Sequence, residues 1–100
     1  MAYTIVVTVE WDPDKNRQNA SKHGVRFEEA QDLLLSGRDH LEIFDTFHSE
    51  DEDRFIAIGP TGQGILVVVW TEREENRVRP ISARRATRKE QQLYHGYMDG

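Results

Sequence analysis

The sequence predicts an α+β domain: an N-terminal strand and two helices, an antiparallel sheet meander, and a C-terminal helix. Three observations carry this. Capped helical segments near the start close on glycines, Gly24 and Gly37. Beyond them, consecutive β-branched stretches are joined only by short turn-type segments, which argues for a meander with the helices segregated from it. Thr87 and Glu90 then have the spacing of a capping box, which starts a last helix.

Taken in order, residues 3–9 are rich in Val, Ile and Thr and read as a first strand. Asp12 and Pro13 open a helix, Asp as N-cap and Pro in the first helical position, running to about His23. A second helix spans about Phe27 to Ser36, with Phe27, Ala30, Leu33 and Leu34 at helical spacing as its core face. Leu41, Ile43 and Phe47 mark the next strand, followed by an acidic loop over residues 49–53. Residues 54–59 and 65–71 read as strands of a hairpin, and the charged turn 72–76 leads to a strand over 77–83. Leu93, Tyr94 and Tyr97 give the last helix an apolar face, and the chain is expected to fray from about Gly96.

With 100 residues and 37% hydrophobic content, a single domain over residues 1–100 with one modest core is expected. No apolar run approaches the roughly 20 residues that span a bilayer, and the first residues lack the pattern of a secretory signal. There is no Cys, hence no disulfide framework and no thiolate metal site. The expectation is a soluble, cytoplasmic domain that needs no metal and no cofactor. A net charge of -5 argues against nonspecific nucleic-acid binding, because no global counterion release drives it.

Against that background the segment Arg77-Val-Arg-Pro-Ile-Ser-Ala-Arg-Arg-Ala86 is locally cationic. In a regular strand Arg77, Arg79 and Ile81 point one way and Val78, Pro80 and Ser82 the other. Arg84 and Arg85 fall where strand gives way to helix, beside free helix-start N–H groups, so a phosphate cradle is one reading. The other is salt-bridge decoration with Glu72, Glu74, Glu75 and the acidic loop, and residue types alone favour it. The first helix has one apolar residue, Ala20, and a polar face of Lys15, Asn19 and Lys22. That face either binds phosphate or a partner, or is the wet side of a helix tethered by Trp11. His23, His40, His48 and His95 share no metal-ligand spacing, and the segment 59–64 reads as a turn, not a phosphate loop.

Several motifs together carry a resemblance. Glu10-Trp-Asp-Pro, with Lys15, Asn16, Asn19, Lys22-His-Gly-Val25 and Phe27-Glu-Glu-Ala30, resembles the N-terminal signature of BrnT-type toxins. Asp53-Arg-Phe55, Ile58-Gly59, Thr71-Glu-Arg73, Arg79-Pro-Ile-Ser-Ala-Arg-Arg-Ala86, Glu90 and Tyr94 continue the pattern in order, covering roughly residues 9 to 95. The resemblance implies a RelE-like fold and the toxin half of a bacterial type II toxin–antitoxin pair. It further implies a metal-independent endoribonuclease that halts translation. The implied partner is BrnA, a ribbon-helix-helix antitoxin through which the pair represses its operon.

In such enzymes the 2′-hydroxyl attacks the adjacent phosphorus, and Arg, Lys and Tyr groups do most of the chemistry. On that implication Arg79 and Arg84 stabilise transition-state charge, with Arg54 as a further cation. Tyr94 and His23 are candidates for proton transfer. Lys22, Lys15 and Arg85 would hold the RNA backbone, Thr71 and Ser82 would orient a phosphate, and Trp70 is either a stacking platform or core. One position departs: family members often carry an arginine just before the long apolar strand, where this chain has Gly64. Gln63 cannot replace that charge. The alternative is therefore a catalytically weakened RelE-like module acting only through antitoxin and operator regulation. A third reading, a structural domain without chemistry, requires Arg54, Arg79 and Arg84 to scatter, each paired to a carboxylate.

Overall fold

The computed structural model describes residues 7–36, 40–46, 52–74 and 76–99. The expectations at residues 3–6, Gly37, Phe47, His48, residues 49–51 and Glu75 lie outside these. The helix α1 (Pro13–His23) begins where the Asp12 carboxylate accepts the Asp14 N–H at 2.8 Å. It stops at Gly24, whose φ of +70° is left-handed and suits a residue without Cβ. The next helix, α2 (Phe27–Leu35), ends one residue before the expected Ser36, which serves as its cap. Phe27, Ala30 and Leu33 are buried on its inner side, as their spacing predicts.

Five strands follow the order β1-β5-β4-β3-β2. They are β1 (Thr8–Val9), β2 (Leu41–Phe44), β3 (Arg54–Thr61), β4 (Gly64–Glu72) and β5 (Arg77–Arg85). All neighbours pair antiparallel except β1, which runs parallel to β5 with Thr8 opposite Arg77. The meander is thus β2 to β5, and β1 is an added edge. Strands β3 and β4 are apolar on both faces because both are covered. On one side Ala57, Leu66, Val68 and Ala83 pack with Val25, Phe27, Ala30 and Leu33. On the other, Ile58 and Val67 pack with Ala86 and Tyr94 under α3 (Arg88–Asp99). Successive residues of a strand face opposite ways, which places α1 and α2 on one side of the sheet and α3 on the other.

Four details depart from the sequence expectation. The hairpin is tighter: β3 continues to Thr61 and β4 starts at Gly64, leaving Gly62 and Gln63 as the loop. Thr61 Oγ1 holds it, accepting the Gln63 N–H at 3.0 Å and donating to the Gly64 carbonyl at 2.8 Å. The fifth strand runs past Ala83 to Arg85. The last helix passes through Gly96 to Asp99, with Met98 packed against the second core.

The fourth departure concerns α1, where Asn19 is buried and does not lie on a polar face shared with Lys15 and Lys22. Asn19 is only 7% exposed and donates to the carbonyls of Val25 and Ala83, both at 2.8 Å. Its Oδ1 accepts the Ala83 N–H at 3.1 Å. The amide thus acts as a strand neighbour for β5 beyond the point where β1 stops, satisfying backbone groups that would otherwise be buried without partners. Asn16 adds two bonds, to the Phe27 N–H and the Glu28 carboxylate, both 2.8 Å. The asparagines tether α1, and Trp11, just before it, is set edge-on to Phe27.

Candidate active site

The arginines of β5 do not follow strict alternation. Val69 pairs with Ser82 but Trp70 pairs with Pro80, so Ile81 is an extra residue, a β-bulge. The bulge shifts the parity of the strand. Arg79 and Arg84, five apart in sequence, therefore share a face, and Ser82 joins them instead of opposing Arg79. Directly opposed residues also share a face, so Arg54, Thr71 and Arg79 form one cross-strand row. This face is the one α3 partly covers, and Tyr94 sits over it.

The gathered groups are not equivalent. Arg84 Nη1 and Nη2 each donate to one oxygen of Glu90 at 2.7 Å, and Glu90 also accepts the Thr87 N–H at 2.8 Å. The Arg84 bonds, with help from Thr87, hold the Glu90 carboxyl down at about 2. The guanidinium pKa is raised by the same pairing. Arg84 is committed to fastening α3 to β5. Thr71 is buried, its hydroxyl donating to the Asp53 carbonyl at 2.7 Å, so it anchors the start of β3. Tyr94 is 9% exposed within the second core.

At the other end of the face the ion pairs are loose. Arg79 Nη2 lies 3.7 Å from Glu10 Oε1, and Arg77 lies 3.9 Å from Glu74. Glu52 stands between Arg54 and Arg73 at 3.8 Å from each. These separations exceed hydrogen-bond length, whereas a phosphate can accept two guanidinium N–H groups at once. Arg79 Nε is moreover buried and meets no acceptor among the described residues. A cavity of about 510 Å³ opens beside Arg73, Arg77 and Arg79, and one of about 270 Å³ lies between Arg79, Trp11 and Lys15.

The other expected residues fall elsewhere. Lys15 borders the Arg79 cavity, and Asn19 is level with Ala83, so α1 runs alongside β5. Lys22 and His23, in the last turn of α1, are carried roughly 10 Å along its axis from Lys15, away from Arg79. Arg85 points to the opposite face from Arg84 and donates to Gln63 at 2.9 Å. Trp70 stacks on Phe55 with centroids 4.6 Å apart, which occupies one of its faces, and Phe44 extends the aromatic row to the sheet edge. Gly64 closes the hairpin with φ +97°, seven residues along β4 from Thr71, roughly 23 Å at strand rise. Among the described residues no group of three or more His, Asp or Glu is arranged to hold a metal, and no helix is long and apolar enough to cross a membrane. Glu10 and Arg73 are additions to the site. Both stood inside motifs, but only the β1–β5 pairing and the placing of Glu52 bring them to the arginines.

Comparison with known proteins identifies the family and the fold. The family model that matches is described as "Ribonuclease toxin, BrnT, of type II toxin-antitoxin system", and it matches residues 11–90. Among solved structures, the crystal structure of the Brucella abortus ribonuclease toxin, BrnT, matches with a TM-score of 0.59 at 22% identity. It covers 85% of this chain and 100% of that chain, a likeness of fold that agrees with the expected α+β architecture. No curated protein matches. With the family match spanning most of its length, the chain belongs to the BrnT ribonuclease toxins of type II toxin–antitoxin systems.

Proposed function

We propose that this chain cleaves RNA without a metal ion and that Arg79 is the residue that stabilises the reacting phosphate. The observation that carries this is the state of Arg79: half-exposed at its tip, loosely paired, and with a buried Nε that meets no acceptor among the described residues. A buried donor left unmet costs about 1–3 kcal/mol, a cost a bound phosphoryl oxygen would remove. In the reaction the 2′-oxygen bonds to phosphorus and the P–O5′ bond breaks, leaving a 2′,3′-cyclic phosphate and a 5′-hydroxyl. Negative charge grows on the phosphoryl oxygens, where fixed guanidinium groups act most strongly.

Arg54 and Arg73, which share one carboxylate, and Lys15 are suited to neighbouring phosphates of the same strand. Ser82 adds a hydroxyl on the Arg79 face. Arg84 serves by holding α3, and Tyr94 by packing beneath it; Lys22, His23 and Arg85 would at most touch RNA beyond the reacting phosphate. The family's type II character supports an antitoxin partner. A BrnA-like ribbon-helix-helix protein, acting with the toxin in the cytoplasm and alone contacting operator DNA, fits that role. The exposed arginines supply a surface that an acidic segment of such a partner would neutralise.

Induced alone, the chain is expected to arrest growth and to degrade RNA in the presence of chelator, and Arg79→Ala to relieve both. RNA left intact by well-folded protein would sink the nuclease reading. Co-expression of a BrnA-like antitoxin should protect the RNA, and a failure to protect would count against that partner.

A further inference from the structure

The proposed reaction also needs a base for the 2′-hydroxyl proton, and neither expected candidate stands where one is required. Tyr94 is packed against Ile58 and Val67, and His23 lies beyond Asn19 toward the far end of β5. Glu10 does stand there. Its backbone N–H donates to the Val78 carbonyl at 2.9 Å, continuing the β1 ladder and fixing its Cα beside Arg79. Its side chain is 36% exposed and its Oε1 is 3.7 Å from the Arg79 guanidinium. Of the carboxylates lining the two cavities, Glu10 alone borders both.

A surface ion pair is the simpler account of such a contact, worth at most about 1 kcal/mol. A surface pair leaves the buried Arg79 Nε without an acceptor among the described residues, and at 3.7 Å the pair is too long to be a hydrogen bond. A phosphate seated on Arg79 would instead bring its 2′-hydroxyl neighbour within reach of a carboxylate held a few ångströms from the same guanidinium.

We propose that Glu10 is the general base of this ribonuclease, acting beside Arg79 at the junction of the two cavities. This rests on the reading of Arg79 given above. The Glu10 carboxylate takes the 2′-hydroxyl proton as the 2′-oxygen bonds to phosphorus. The 5′-oxygen departs with a proton from solvent, and Glu10 returns its proton to water.

The test is cleavage of a fluorescent mixed-sequence oligoribonucleotide pool by the full chain, with chelator, from pH 4 to 9. Glu10→Gln should lower kcat by about 10²–10⁴-fold, with KM changed far less, and abolish the acid limb of the pH profile. Glu10→Asp should keep that limb at reduced rate, and formate should restore part of the activity of Glu10→Ala. A purely structural Glu10 would leave the profile's shape unchanged. If Arg79→Ala is inert while Glu10→Gln cuts as fast as the parent, the base assignment alone is overturned. A parent that leaves the pool intact, or an Arg79→Ala variant that still cuts it, overturns the underlying reading instead.

Discussion

Arg84 and Glu90 are joined by two parallel hydrogen bonds of 2.7 Å, while Arg79 and Glu10, on the same side of the sheet, come no closer than 3.7 Å. One pair is a fastening between β5 and α3; the other is a half-exposed contact longer than a hydrogen bond. Fastening has a pH signature. The Glu90 carboxyl lies at about 2, below its ordinary 4.5, so its contribution is complete above about pH 4.5 and is lost as pH falls toward 2. With Arg84 partly solvated, that contribution is about 1 kcal/mol. Urea unfolding at pH 6 and at pH 3 should show the loss in the parent, and Glu90→Gln should flatten it.

Asn19 gives a second expectation. Removing its amide by Asn19→Ala leaves the Ala83 N–H and two carbonyls without their partners inside the α1–β5 seam. The expected loss is about 2–4 kcal/mol, more than for an exposed polar residue of the same helix such as Gln18. Denaturant midpoints of Asn19→Ala and Gln18→Ala make the comparison. Equal midpoints would show that water replaces the amide at little cost.

The resemblance to BrnT-type toxins implies an arginine where this chain has Gly64, and Gly64→Arg tests whether that charge is missed. At φ +97° a side chain is strained, so a loss of about 1–2 kcal/mol is expected. The hairpin tip also lies far along β4 from the Arg54–Thr71–Arg79 row. Cleavage by the folded variant should therefore stay within about threefold of the parent, whereas a tenfold gain would bring the tip into the active surface.

Much of the fold was legible because its signals are local. Asp12, Pro13 and Gly24 specify the ends of α1 through their own chemistry, and Thr87 with Glu90 starts α3. The features that build the site depend on pairing across the sheet. Nothing within residues 77–85 says that Ile81 is the extra residue, because a bulge exists only relative to its partner strand. Strict alternation would set Ser82 opposite Arg79, and the bulge brings the two to one face. Asn19 looked like part of a wet face because its three partners, at Val25 and Ala83, are backbone groups that sequence does not single out. Glu10 gained meaning only through the parallel pairing of β1 with β5.

That parallel pairing also sets when the site can exist. Glu10 precedes the first helix and Arg79 follows four of the five strands, so their meeting closes a loop of most of the chain. Contacts of such sequence separation form late and slow folding, because loop entropy must be overcome before they contribute. During synthesis the growing polypeptide carries Glu10 long before Arg79 is made. The contact between Glu10 and Arg79 is therefore absent from any chain in which β5 has not yet been made and docked beside β1.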